Sequence, residues 1–371
     1  MAQSLCVGEI LMQQFRGFVK ARTDLGGKAI TNAGMQIVSF NISRDLLTSA
    51  TSNFTFLQAP QALSEGDVLG VYGENGRIIY NGVITSISND IQCVQMAGLF
   101  DDDYMNRTFE STNTIESDVK TLLYNATVGN EDKLLSNEFK PFVFSTSTNT
   151  EGKLLQGEDY TTPNFQERIY GIYDTYDIIV DIKVPFEEVQ PTITIGKNTD
   201  VAIKLGSNAI SVLSIIPTTT ASETNKLVIY STEKEADGVT TPPQHRATYY
   251  LTPNGITDNA LDLSRMAVVK TKYVFSDEDL TTIKNGNLSN KLYNHEITAS
   301  LALDGNLYDF WSWNLGQKFN IFDGTSFYET ILTGYTLNFQ DGSMPSATLK
   351  FGKVRYNLES KLFRLFKNSS I

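Results

Sequence analysis

Cysteine, histidine and tryptophan each occur only twice in the 371 residues. Two cysteines, Cys6 and Cys93, cannot build a disulfide framework or a structural zinc site. Cys93 sits in a strand-like stretch and reads as a small core residue; assembly in a reducing compartment fits. Neither His245 nor His295 lies near a cysteine in sequence, and no HExxH spacing occurs. A Cys–His nucleophile and a helical zinc-protease site are therefore not expected. The GxxxxGK[ST] loop and the strand-led GxGxxG are both missing, so nucleotide binding lacks its usual marker. No run of about 18 apolar residues occurs, so no transmembrane helix is expected. An excess of basic residues is missing too. The formal net charge is −12, which repels phosphate and argues against sequence-specific nucleic-acid binding. The 42 acidic residues always offer carboxylate pairs, so pairs alone do not indicate a glycosidase. Asp101-Asp102-Asp103 lacks the alternating oxygen ligands of a calcium loop and reads as a solvated turn. No catalytic, cofactor-binding or metal-ligating residue is assigned, and no enzyme is expected.

What is present is β pattern. Hydrophobic residues make up 41% and charged residues 19%, an ordinary globular mix with enough length for two or three domains. The opening "MAQSLCVGEILMQQFRGFVKARTD" is broken by Glu9, Gln13, Gln14 and Arg16 and does not read as a secretion signal. Leu11, Phe15, Phe18 and Val19 suit a short amphipathic helix, with a docked strand as the rival. "MQIVSF" (Met35–Phe40) and "NFTFLQ" (Asn53–Gln58) read as strands. "GDVLGVYGENGRIIYNGVITSIS" (Gly66–Ser88) reads as two strands around a tight Glu74-Asn75-Gly76 turn, since glycine takes positive φ without penalty. "IQCVQMA" adds a fifth strand, enough for a small barrel.

From about Tyr104 the period changes. Ile115, Val119, Leu122 and Leu123 lie at helical spacing, with Asn113 or Thr114 as cap. Thr162-Pro163 suits a second helix start, and 177–184 alternates into a strand. Strand and turn patterns follow through "ITIG", "DVAIKLG", "ISVLSII" and "NKLVIYST". "SDEDLTTIKNGNLSN" predicts a helix capped by Ser276 and running to Leu288. "HEITASLAL" then alternates, and Gly316–Gln340, "GQKFNIFDGTSFYETILTGYTLNFQ", repeats the layout of the early hairpin about 250 residues later. "PSATLKFGKVRY" gives a closing strand. Trp311 and Trp313 share one face if that segment is extended; burial in the core and exposure in a sugar-binding groove are the two readings.

The expected fold is mainly β with α+β subdomains, with two homologous small β-barrels, the second discontinuous. The expected divisions are a first barrel (1–105), an α+β domain (106–188), the first part of a second barrel (189–232), an inserted subdomain (233–290), the second part of that barrel (291–356) and a tail (357–371). The chain ends about 15 residues past the last strand pattern, so no appended enzymatic domain is expected.

This order of parts resembles the baseplate hub, or tail-tip hub, proteins of tailed bacteriophages. The resemblance is carried by Leu63–Asp90, by "SNKLYNHEITASLALDGN" (Ser289–Asn306) and by Leu315–Gly342. "NKLVIYST" and "ATYYLTPNGITD" fit the split barrel and its insert. It covers nearly the whole chain. It implies a structural virion protein of the phage tail, assembled in the host cytoplasm. Three copies with two barrels each would imitate a six-fold ring and join the tail tube or distal tail ring to a three-fold tip. Implied partners are the protein itself as a homotrimer, the distal tail protein, the tail tube, and tape-measure or tip and fibre proteins. DNA would pass only as cargo, through a channel whose acidic wall would not hold it; no cofactor is implied. A distal tail ring or other baseplate protein, and a carbohydrate- or receptor-binding tail module, are the alternatives.

Overall fold

The computed structural model describes residues 15–26, 30, 32–46, 50–58, 60–73, 76–100, 109–131, 133–156, 165–186, 190–199, 201–206, 212–217, 224–232, 242–252, 254–263, 266–288, 295–303 and 309–352. Strands dominate. The first six are β1 (Arg16–Lys20), β2 (Asn32–Asp45), β3 (Thr51–Phe56), β4 (Val68–Tyr72), β5 (Ile78–Ile87) and β6 (Ile91–Gln95). They hydrogen-bond in the order β1-β4-β5-β6-β3-β2, and β1 pairs again with β2. The sheet therefore closes into a six-stranded barrel, which leaves that part no open edge along β1. Phe15 is buried and Arg16–Lys20 is a strand, so the docked strand prevails over the helix at these positions; Leu11 and Cys6 lie outside the described residues.

The α+β unit holds α1 (Ile115–Ala126), α2 (Lys133–Phe139), β7 (Val143–Thr146), α3 (Phe165–Tyr176), β8 (Ile179–Lys183) and β9 (Thr192–Gly196). Ile115, Val119, Leu122 and Leu123 bury the inner stripe of α1 as their spacing predicts. Helix α2 and strand β7 have no counterpart in the sequence pattern, because "KLLSNEF" makes only about two turns and "VFST" is four residues, too short for either period to show. Strand β9 corrects a boundary. The sequence division puts "ITIG" in the second barrel, but β9 pairs with β7 in parallel and with β8 antiparallel. Gly196 allows this: a Cβ there would sit 2.1 Å from Ser147 Oγ.

The remaining strands are β10 (Ile203–Leu205), β11 (Val212–Pro217), β12 (Lys226–Thr232), β13 (Gln244–Thr252), β14 (Gly255–Thr257), β15 (Val269–Phe275), β16 (His295–Ala302), β17 (Lys318–Phe322), β18 (Phe327–Gln340) and β19 (Ser346–Gly352), with α4 (Leu280–Leu288) between β15 and β16. Strand β12 also moves. The sequence division puts it in the second barrel, yet it forms the centre of a separate sheet, β14-β13-β12-β15. Leu227 and Ile229 of β12 are buried against the α+β core together with Val274, Ile283 and Leu288. Helix α4 starts later than Ser276: Asp279 caps it, accepting the amides of Thr281 and Thr282 at 2.9 and 3.0 Å. Asp279 is also held below the usual carboxylate range by those bonds, the Thr281 amide first.

The second β module is discontinuous, as expected, and is built from β11, β16, β17, β18 and β19. Its hydrogen-bonded order is β17-β18-β19-β16-β11, the same order as β4-β5-β6-β3-β2 in the first. One apolar core runs through both modules, with Phe15, Phe40 and Phe339 in mutual contact at 4.7 to 5.2 Å. The two modules differ at the sixth strand. β10 adds to β17 in parallel, where β1 adds to β4 antiparallel. The tail at 357–371 lies outside the described residues.

Candidate assembly surface

The duplication extends to single hydrogen bonds. Gly66 (φ +94°) donates its N–H to Ile84 O at 2.7 Å, and Ile84 N–H returns a bond to Asp67 O at 2.8 Å. Gly316 (φ +81°) donates to Leu332 O at 2.7 Å, and Leu332 N–H bonds Gln317 O at 2.9 Å. The turn before each strand is also matched. Asp67 Oδ2 accepts Ser64 N–H at 3.0 Å, and Gln317 Oε1 accepts Asn314 N–H at 3.2 Å. Both glycines occupy the left-handed region, which explains why the sequence carries glycine at the head of each copy. A bulge follows at the same place in each copy, between Ile84 and Ser86 and between Leu332 and Gly334. These matches set the equivalences Ile84–Leu332, Ser86–Gly334 and Ile87–Tyr335. The cross-strand rows agree as well: Phe40, Phe54, Ile91 and Ile87 in the first module lie as Leu213, Ala299, Leu349 and Tyr335 do in the second.

The two modules are joined edge to edge. Seven register pairs run from Gly334↔Asp45 to Gln340↔Ser39 between β18 and β2. Asn41 Nδ2 donates to Asn338 Oδ1 at 2.6 Å across the exposed face. Gly334 is required by close approach, since a Cβ there would lie 2.3 Å from Asp45 Oδ1 and 2.9 Å from Arg44 O. Arg44 stacks beside Tyr335, its guanidinium carbon 5.9 Å from the ring centre, and the Tyr335 hydroxyl beside it holds its charge.

Two other surfaces stand out. The β17–β18 hairpin presents Phe327, 67% exposed, paired with Phe322 at 4.7 Å. Its turn is fixed by Asp323, which accepts the amides of Ser326 and Thr325 and the Thr325 hydroxyl and is held at about 2 by them. The inserted sheet turns Tyr230, Tyr273 and His245 outward, with Tyr230 and Tyr273 stacked at 5.7 Å.

The singled-out residues do not converge. Cys93 is fully buried, and burial pushes its thiol far up. His245 lies in β13 rather than in a loop, its Nε2 2.8 Å from Thr248 Oγ1. His295 opens β16; its side chain, Asp101–Asp103, Glu74 and Asn75 lie outside the described residues. Phe310–Ser312 is a 3-10 turn, so Trp311 and Trp313 do not share an extended face. Trp313 is buried on Phe310 and Phe319, and Trp311 packs on Phe15. Among the described residues, no group of three or more His, Cys, Asp or Glu side chains is placed to hold a metal ion.

Among the described residues, two carboxylates are fully buried, and both are held by hydrogen bonds to neighbouring loops. Glu116 accepts Thr150 N–H at 2.6 Å and the hydroxyls of Thr148 and Thr150 at 2.7 and 2.8 Å. Asp118 accepts Thr112 N–H at 2.7 Å, Leu154 N–H at 3.0 Å, and the hydroxyls of Ser111 and Thr112 at 2.6 and 2.9 Å. They tie the loops 111–112 and 148–154 to the first turn of α1, where the helix dipole favours negative charge. Sequence reasoning missed them; their only signal is acid in a first helical turn beside Ser/Thr-rich loops.

No family model matches the chain, and no curated protein matches it. Solved structures do share its fold. A tail protein from Neisseria meningitidis MC58 superposes with a TM-score of 0.52 at 13% identity, over 91% of this chain and 96% of that one. The 43 kDa tail protein of prophage MuSo2 from Shewanella oneidensis gives 0.52 at 11% identity, over 91% and 98%. Prophage tail protein gp18 from Listeria monocytogenes EGD-e gives 0.50 at 15% identity, over 95% and 98%. The mainly β fold with small barrels and α+β parts expected from the sequence is thus borne out, and it is shared with these tail proteins.

Proposed function

We propose that this protein is a structural hub of a phage tail, a homotrimer whose six β modules form a pseudo-six-fold ring between the tail tube or distal tail ring and a three-fold tip. The observation that carries this reading is the pair of modules with matched strand order, matched glycine-headed turns and matched bulges in one chain. Two quasi-equivalent units per chain let three chains offer six similar surfaces to a hexagonal ring while keeping a three-fold face. Closed cyclic association satisfies every interface, as open association does not. The ring would enclose a channel for DNA, with the net charge of −12 keeping the wall from binding it. Its partners would be the distal tail protein, the tail tube, and tape-measure or tip proteins, and its location the virion tail. The test is the copy number and local symmetry of the protein in a purified tail particle. Three copies at a three-fold position support the hub; six copies on a six-fold axis would make it a distal ring protein. Recovery only as a monomer beside its tail partners would refute the ring.

A carbohydrate- or receptor-binding role has one surface in its favour. It is the outward Tyr230–Tyr273–His245 cluster rather than the expected tryptophans. Glycan-array binding lost in Tyr230→Ala would support it, and no binding by the folded protein would remove it.

A further inference from the structure

The internal seam is one half of a pattern, and among the described residues the other half is open. The segment of β2 covered by β18 runs from Ser39 to Asp45. By the matched rows, its counterpart in the second module is β11, Val212–Pro217. β11 pairs with β16 along one edge, and among the described residues no strand pairs along the other. The segment of β18 that covers β2 starts at Gly334–Tyr335, whose counterpart in the first module is Ser86–Ile87. Tyr335, which packs on Phe310 and beside Arg44 of β2, is 5% exposed, whereas Ile87 is 40% exposed. Each chain therefore carries the two complementary halves of a join that it makes only once internally. Among the described residues, an apolar side chain and a row of backbone groups stay uncovered where a neighbour would lie.

We infer that β11 of one copy pairs antiparallel with the end of β5 of a second copy, in the register that the internal seam prescribes. This deepens the ring reading and rests on it. Transferring the β18–β2 register to the equivalent positions brings Ile87 opposite Pro217 and Ser88 opposite Ile216 of the neighbour. The association is head-to-tail, so it closes only as a ring. The new seam is also shorter than the internal one. β18 continues to Gln340 before it turns, while β5 ends at Ile87 and turns through Ser88, Asn89 and Asp90. Long seams within chains alternate with short seams between them, so the ring is strictly three-fold and parts first between copies.

The test uses the full chain carrying Cys6→Ser, with Ser88→Cys and Ile216→Cys introduced together and Cys93 left buried. Oxidation followed by a denaturing, non-reducing gel is expected to give covalent dimer and trimer. Two separately prepared single variants, once mixed, are expected to give a dimer at most. Hydrogen exchange of the unsubstituted protein provides a second readout that needs no folded variant. Amides of 212–217 are expected to be at least tenfold more protected in the oligomer than after dilution to monomer. A trimer by native mass that forms no such bond and shows no change in exchange at 212–217 overturns the seam and leaves the ring standing. A disulfide formed within one chain also overturns the seam. A protein that stays monomeric at every concentration, and in the presence of its tail partners, overturns both.

Discussion

The two buried carboxylates of α1 look alike in burial, and their hydrogen bonds make them unequal under the same substitution. In Asp118 each oxygen faces a backbone N–H: Oδ1 takes Thr112 N–H, and Oδ2 takes Leu154 N–H. An asparagine must turn its NH2 toward one of them, and a backbone donor cannot rotate away. Asp118→Asn therefore leaves a buried donor facing a buried donor and loses charge assistance on the remaining bonds. The cost is about 3–4 kcal/mol, from one orphaned buried group of roughly 1–3 plus weakened ionic hydrogen bonds. In Glu116 only Oε2 takes an N–H from another residue, while Oε1 faces two hydroxyls. A glutamine can keep its oxygen on Thr150 N–H and donate its NH2 to hydroxyls that turn to accept. Glu116→Gln should cost only about 1–2 kcal/mol, the loss of charge assistance alone. The chain has several modules, so the readout should be local. Native-state hydrogen exchange of α1 amides is suitable, with each factor of ten corresponding to about 1.4 kcal/mol. Protection in α1 should fall by roughly a hundredfold or more in Asp118→Asn and by about tenfold in Glu116→Gln. Equal losses, or a larger loss for Glu116→Gln, would refute the reasoning that donor rigidity decides the cost.

Three further outcomes are expected. Burial alone would push the Glu116 carboxyl up, but the amide of Thr150 and the hydroxyls of Thr148 and Thr150 together hold it below its ordinary 4.5; its contribution to stability is therefore complete above pH 4.5 and lost as pH falls through the lower folded value, which exchange in α1 at pH 5 and below would show, and Glu116→Gln should flatten that loss. Gly66→Ala should destabilise by about 1–2 kcal/mol from its positive φ alone, while Gly316→Ala should cost about 2–3 because its Cβ would also meet Ile179 Cδ1 at 2.3 Å; comparing the denaturation midpoints of the two variants checks the order, and equality would count against it. With Cys93 fully buried and its thiol pushed up by burial, a thiol reagent at pH 8 should label it only after unfolding, so rapid labelling of the folded Cys6→Ser variant would contradict its place in the core.

Local pattern alone determined much of this protein. Alternation exposed the strands, 3.6-residue spacing exposed α1, and glycine at the head of each copy exposed the repeated hairpin, because positive φ leaves glycine little competition. The repeat was enough to expect two modules and a shared architecture. Tertiary structure decided which strands pair. "ITIG" and "NKLVIYST" alternate as barrel strands do, yet β9 went to the α+β sheet and β12 to the insert, since alternation fixes a buried face and not a neighbour. It also decided the fate of Trp311 and Trp313, which a 3-10 turn folds inward, and the roles of Glu116 and Asp118, whose partners lie up to 36 residues away. The β2–β18 seam joins residues almost 300 positions apart, and no short-range signal marks it. Edge pairing is satisfied by backbone groups that every residue carries, so its choice of partner is settled only when the whole chain is packed.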